Sequence, residues 1–87
     1  MLNVFILEGK IIDQRIMENN ELSVILELES NNKFNNIEVY LNGNILNNFC
    51  KHCKLGDVIS VQGHIESHES LQYKLIVKAL TCLTHSY

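Results

Sequence analysis

Three sulfur ligands and one nitrogen ligand for a soft metal stand in the second half of this chain. Cys50-Lys-His-Cys53 is a C-x-x-C, and Cys82-Leu-Thr-His85 is a C-x-x-H. Cys50, Cys53, Cys82 and His85 together have the composition of a Cys₃His zinc site, in which thiolates and an imidazole complete a tetrahedron. Antiparallel pairing of the last two strands would bring Cys82 close to the exit of the helix that carries the first pair. The competing reading places Cys50 and Cys53 in a buried helical stripe and Cys82 in a strand core, because free Cys commonly behaves as a small hydrophobe. The buried reading takes precedence, so neither a metal nor any other cofactor is expected. A redox C-x-x-C would need a thioredoxin-like βαβ context, which the pattern lacks. Three Cys is an odd count and rules out a complete intramolecular disulfide framework.

A second set of residues suits single-stranded nucleic acid, whose recognition needs rings for base stacking and cations for phosphates. The candidates are Lys10, Arg15, Lys33, Phe34, Tyr40, His64, Tyr73, Lys74 and Lys78, with Phe5 as a further ring. Packing inside a small fold competes for each ring, and a solvated surface competes for each Lys. Glu27, Glu29 and Glu38 fall on outward strand positions and would repel phosphate if they shared the ligand face. His52, His64 and His68 have no nucleophile or carboxylate partner at a telling spacing, and there is no Gly-rich phosphate loop. An enzyme is therefore not expected.

The chain has 87 residues, enough for one domain, 1–87, with a modest core. Nearly half the residues are apolar, at 46%, which excludes global disorder. The formal net charge of −3 argues against binding that rests on bulk positive charge, and leaves room for a local basic face. No apolar run approaches the roughly 18 residues of a membrane span. The start Met1-Leu-Asn-Val lacks the basic segment of a secretory signal, so a cytoplasmic protein without membrane association is expected. Asn occurs in pairs at 19–20, 31–32, 35–36 and 47–48, several of them where turns would fall.

Elements that could hold these residues follow from the pattern. Leu2 to Ile12 reads as a first strand, and Asp13 to Glu21 as a polar connection. Leu22 to Glu29 alternates with period two. Leu22, Val24, Leu26 and Leu28 lie on one side, and Ser23, Ile25, Glu27 and Glu29 on the other. A turn over Ser30 to Lys33 leads to a third strand, Phe34 to Asn42, with Ile37, Val39 and Leu41 inward and Glu38, Tyr40 and Asn42 outward. Asn44 is placed to cap a short helix whose apolar stripe is Ile45, Leu46, Phe49, Cys50 and Cys53, and Gly56 suits its exit. Val58 to Glu66 is a fourth strand, Ser67 to Ser70 a loop, Leu71 to Leu83 a long bent fifth strand, and Thr84 to Tyr87 a tail. Val4-Phe-Ile-Leu-Glu-Gly-Lys-Ile11 and Val58-Ile-Ser-Val-Gln-Gly-His-Ile65 echo each other. A Gly inside a strand marks a bulge, a bend or a close backbone approach, so the pair implies a small, strongly curved barrel.

The order β-β-β-α-β-β is the layout of the OB-fold, a five-stranded, all-β Greek-key barrel with one short helix between strands 3 and 4. Over nearly its whole length the chain resembles the bacterial single-stranded DNA-binding protein family. Leu7-Glu8-Gly9-Lys10-Ile11 matches that family's first strand, and Ile37-Glu-Val-Tyr-Leu-Asn-Gly43 its third strand running into Gly. Lys54-Leu-Gly-Asp57 matches its turn, Val61-Gln-Gly-His64-Ile65 its fourth strand, and Leu75-Ile-Val-Lys-Ala-Leu-Thr-Cys-Leu83 its last. The chain departs from the family pattern at Asn42 and Asn36, where aromatics are usual, and at His64, where Arg is usual. The family's long acidic-tipped tail, with its recruitment of other replication proteins, is not expected in a chain that ends with the barrel.

The resemblance implies binding of single-stranded nucleic acid, DNA ahead of RNA, in replication, recombination or repair, with little sequence preference. It also implies a homo-oligomer, dimer or tetramer, and the outward apolar residues Ile25 and Ile76 leave surface for a partner to cover. The alternative expectation is a barrel used as a protein-interaction or assembly subunit, for example among replication or mobile-element proteins.

Overall fold

The computed structural model describes residues 2–67, 69 and 73–84. Its elements are β1 (Phe5–Met17), β2 (Glu21–Ser30), β3 (Lys33–Leu41), α1 (Gly43–His52), β4 (Val58–Ser67) and β5 (Tyr73–Cys82). The strands close into a barrel in the order β1-β2-β3-β5-β4, with β4 returning to β1. All neighbours are antiparallel except β3 and β5, which run parallel. This is the five-stranded OB-fold with its helix between the third and fourth strands, as the element order implied.

Alternation fills the barrel. Leu22, Val24 and Leu26 from β2, Val39 and Leu41 from β3, Ile59 and Val61 from β4, and Val77 from β5 are all buried. Period two sends each of these inward and its chain neighbours outward. The open end is plugged by α1, whose Phe49 is buried in the same core, with Ile45, Leu46 and Cys53 packed beside it. Burying an aromatic of this size removes more apolar surface from water than any other contact the helix makes.

Several boundaries differ from the sequence reading. The polar stretch expected to connect the first two strands is mostly strand. β1 runs to Met17 and pairs with β2 from Lys10↔Glu27 to Met17↔Glu21. The register shifts between Ile11 and Asp13, so Ile12 is a bulge and the two halves of β1 have different phases. The two tight turns are both built on Asn. Asn19 and Asn20 have φ of 61° and 57°, and Asn31 and Asn32 have 52° and 63°. Asn is the side-chain-bearing residue that most readily accepts this left-handed backbone, and two such residues make a hairpin turn whose twist matches the strands. The pairs at 35–36 and 47–48 instead lie within β3 and α1.

The N-cap lies two residues earlier than expected and makes no side-chain capping bond. Asn42, extended, is its N-cap and Gly43, at φ 56°, its first residue, while Asn44 lies inside. The exit is Cys53, whose N–H donates to the Phe49 carbonyl at 2.9 Å. Gly56, at φ 94°, serves the next turn rather than the helix exit. Cys50 is exposed and does not belong to the buried stripe. β5 starts at Tyr73 and ends at Cys82, so Leu83 lies past it. Expectations that fall on His68, Ser70, Leu71, Gln72, His85, Ser86 and Tyr87 lie outside the described residues.

Two positions fix the curvature. Gly63 sits where the β4–β5 register shifts, and a Cβ there would lie 1.8 Å from the Ile76 carbonyl oxygen. Gly9 is held nearly as tightly, with a Cβ meeting Leu28 Cδ2 at 2.8 Å and the Glu27 carbonyl oxygen at 2.9 Å. The turn before β4 is tied down by Asp57, a buried carboxylate. It accepts from the Lys54 N–H at 3.0 Å and from Thr84 Oγ1 at 3.4 Å. The same turn locks to β1, with Ile11 N–H donating to the Asp57 carbonyl at 2.9 Å and Gly56 N–H to the Ile11 carbonyl at 2.8 Å.

Gly63→Ala is expected to destabilise the fold by about 3 kcal/mol, because backbone rather than a flexible side chain must give way. Asp57→Ala leaves a turn N–H without its acceptor and is expected to cost about 1–3 kcal/mol. Urea denaturation of both variants checks these values, and a Gly63→Ala midpoint equal to wild type contradicts the packing described.

Candidate nucleic-acid interface

Register places one row of side chains across the outer face of the barrel. Arg15 pairs with Ser23, Ser23 with Tyr40, Tyr40 with Ile76, and Ile76 with His64, from β1 through β2, β3 and β5 to β4. Side chains opposite each other in a ladder lie on the same face, so a ring, a cation and an imidazole share this row. Lys74 stands on the same side of β5 as Ile76 by the period of two, and Lys78 is the extra residue at the β4–β5 register shift.

Tyr40 is the centre of this face. Its hydroxyl donates to Glu38 Oε1 at 2.7 Å, and Ser23 Oγ donates to Glu38 Oε2. Ser23 is buried although it points away from the core, and Glu38 satisfies its hydroxyl. The hydrogen bond from Ser23, then the one from Tyr40, hold the Glu38 carboxyl below its ordinary range, helped by the charges of Arg15 and Lys74. Burial, with the Glu38 carboxylate next, pushes the Tyr40 hydroxyl up to about 12, so it remains a neutral donor at physiological pH. The ammonium of Lys74 lies 4.3 Å from the centroid of the Tyr40 ring and 2.8 Å from Glu21 Oε1.

The remaining candidates extend this face or leave it. His64 Nε2 lies 2.5 Å from Glu66 Oε2, and that bond lowers the Glu66 carboxyl. Lys78 is exposed and lines a shallow groove with His64, Asn3 and Gln62. Tyr73 is 72% exposed at the start of β5. Lys33 is exposed next to the β2–β3 turn. Lys10 and Phe34 lie in a different groove, lined also by Glu8, Glu27, Glu29 and Val58. Three carboxylates surround one ammonium there, and this groove is separate from the residues gathered around Tyr40. Phe5 packs against the core and is not a free ring.

Two apolar expectations change with the structure. Ile76 is only 5% exposed, because the row seats it between Tyr40 and His64 on a strongly bent part of the sheet. Ile25 is half-buried. Exposed apolar side chains among the described residues include Leu2, Val4 and Ile6, which alternate along the chain into β1.

Of the candidate zinc ligands among the described residues, Cys50 stands apart from Cys53 and Cys82. Cys53 and Cys82 meet at the end of α1, where burial and then the neighbouring Cys82 push the Cys53 thiol up to about 12. Cys82 also reaches the Thr84 carbonyl at 2.7 Å. Cys50 faces a separate apolar groove with Ile16, Leu46 and Asn47, and His85 lies outside the described residues. Among the described residues no three potential ligands cluster around one point. No helix among them is long and apolar enough to cross a membrane.

The parts that sequence reasoning left out are Ser23, Glu21 and the bonding of Glu38. Alternation did place Ser23 and Glu38 outward. Their partnership depends on the β2–β3 register, and the reach of Lys74 to Glu21 depends on the parallel β3–β5 contact.

No protein-family model and no curated protein sequence matches this chain. Solved structures do. The yeast mitochondrial single-stranded DNA-binding protein Rim1 from S. cerevisiae superposes with a TM-score of 0.82 at 12% identity, covering 99% of this chain and 100% of that one. The N-terminal domain of PriB from Thermoanaerobacter tencongensis, described as dimeric, gives 0.81 at 12% identity over 95% and 98% of the two chains. A small single-stranded DNA-binding protein from Mycoplasma pneumoniae gives 0.76 at 18% identity over 100% and 99%. At these identities the likeness establishes the fold: the described strands form a closed OB barrel of the architecture found in single-stranded DNA-binding proteins and PriB.

Proposed function

We propose that this chain binds single-stranded nucleic acid, DNA ahead of RNA, on the outer face centred on Tyr40, and that it acts by binding rather than by catalysis. The observation that carries this reading is the convergence of a ring and two cations, Tyr40, Arg15 and Lys74, on one face of the barrel. A neutral ring gives a base a stacking partner of any sequence, and cations beside it neutralise phosphate. His64 and Lys78 continue the face toward β4 and β5, and the exposed Tyr73 ring stands at the start of β5 in the alternate phase. The likeness to single-stranded DNA-binding proteins supports the same ligand. Replication, recombination or repair in the cytoplasm is the setting this reading fits.

The charge balance sets the character of the binding. Glu21, Glu38 and Glu66 lie on the same face as the cations, and the whole chain carries −3. Bonds to Ser23 and Tyr40 engage Glu38, yet its charge persists. The proposed complex is accordingly of modest affinity and salt-sensitive.

A second reading has one observation in its favour. The groove holding Glu8, Glu27 and Glu29 around Lys10 and Phe34 suits a basic partner better than a phosphate. It would make the barrel a protein-interaction subunit, with replication or mobile-element proteins among the candidates.

A homo-oligomer belongs to the proposal as well, since Leu2, Val4 and Ile6 leave apolar surface uncovered in a single chain. The dimeric PriB domain of the same fold supports it.

Fluorescence anisotropy of a labelled oligo-dT strand at low and moderate salt tests the ligand. Binding is expected at low salt and should weaken steeply as salt rises. Tyr40→Ala should cost about 1–3 kcal/mol of binding, while Lys10→Ala changes little because its groove is acidic. Absence of binding at low salt contradicts the proposal and favours the second reading. In light scattering after size exclusion, Ile6→Glu is expected to shift an oligomer to monomer. A wild-type chain that elutes as a monomer at high concentration contradicts the association.

A further inference from the structure

We infer that Lys74 is a latch over the binding face: it occupies the Tyr40 ring in the free protein and gives way to the nucleic acid. The inference rests on the proposed function and adds how that site is regulated. Lys74 belongs to β5, Tyr40 to β3 and Glu21 to β2, and β3 lies between the other two. The side chain of Lys74 therefore spans the ring, with its ammonium 4.3 Å from the centroid and its end anchored 2.8 Å away on Glu21. A base and an ammonium cannot occupy the same face of one ring. Stacking on the face that Lys74 covers requires it to leave.

The chemistry of the exchange balances. In the free protein the ammonium has a carboxylate and a π face as partners. When a strand arrives, a base replaces it on the ring and a phosphate replaces Glu21 as its counter-charge. Tyr40 is held in place throughout, because its hydroxyl is bonded to Glu38 and not to Lys74. The latch thus raises the threshold for any ligand that offers a ring without a phosphate, or a phosphate without a ring. It selects polynucleotide over lone anions and lone aromatic molecules.

Glu21→Gln tests the anchor without altering Lys74 or the ring. Glu18→Gln serves as control, since Glu18 is exposed in the neighbouring turn and removes the same charge. Oligo-dT anisotropy is measured on both, on Tyr40→Ala, and on Glu21→Gln combined with Tyr40→Ala. Glu21→Gln is expected to bind about three- to fivefold tighter than wild type, the scale of one lost ion pair holding Lys74 over the ring. Glu18→Gln should change binding less than twofold, about what one distant screened charge contributes. In the Tyr40→Ala background the gain from Glu21→Gln should fall to that of the control. Lys74→Gln should reduce the salt slope of binding by about 0.7, the loss of one phosphate contact on a single strand. Binding by wild type with no gain in Glu21→Gln beyond Glu18→Gln overturns the latch and leaves the proposed function standing. A gain that survives loss of the ring overturns it too. No binding by any variant overturns the proposed function and the latch together.

Discussion

Closure of the barrel depends on a short seam. β3 and β5 meet through only two ladder pairs, Val39↔Leu75 and Tyr40↔Ile76, whereas every other neighbouring pair of strands runs for six pairs or more. β5 reaches β3 because it bends with β4 at Gly63, where the Ile76 carbonyl occupies the space a side chain would need. A sheet of five strands that failed to bend here would stay open and expose two edges. The bulge at Ile12 supplies the matching bend on β1.

The same constraint builds the face. Tyr40 belongs to the seam, so its ring is flanked on one side by β2 and on the other by β5. Ser23, Glu38 and Lys74 gather around it, and a tightly curved sheet brings their ends close. The carboxylate of Glu38, like those of Glu21 and Glu66 on the same face, is unfavourable for a phosphate ligand. It orients the ring through the Tyr40 hydroxyl, a role neither an apolar residue nor a cation could fill. On the proposed binding face, such a carboxylate exchanges affinity for a fixed ring.

How much of this was legible in the residues varied with the physics of each part. β2 and the inward half of β3 read clearly, because one face is core and the other is not, and strict alternation follows. The close approaches at Gly9 and Gly63 were signalled by Gly inside apolar runs. The second half of β1 was hidden. A bulge at Ile12 resets the phase, and Asp13, Gln14 and Arg15 are polar because both sides of this overhanging ladder meet solvent. Asn42 and Asn44 are equally good caps by type, and only the end of β3 at Leu41 decides between them. The ring and the cations were identifiable as types. Their grouping was not, since Lys10 and Phe34 separate from Tyr40 through the cross-strand positions of Glu27 and Glu29. Cys50 and Cys53 differ in burial because three residues around a helix carry one of them past the edge of the core-facing stripe.

Two surfaces of opposite character now stand on one barrel. The Tyr40 face combines a fixed ring with cations, and the Lys10–Phe34 groove combines a free ring with carboxylates. The central claim is that nucleic acid uses the first and not the second. An amide chemical-shift titration of the labelled protein with oligo-dT separates them directly. The account predicts perturbations clustered on Arg15, Ser23, Tyr40, Lys74 and Ile76, with Glu8, Lys10, Glu27 and Phe34 unmoved. Perturbations centred on Lys10 and Phe34, or none on either surface, would contradict it.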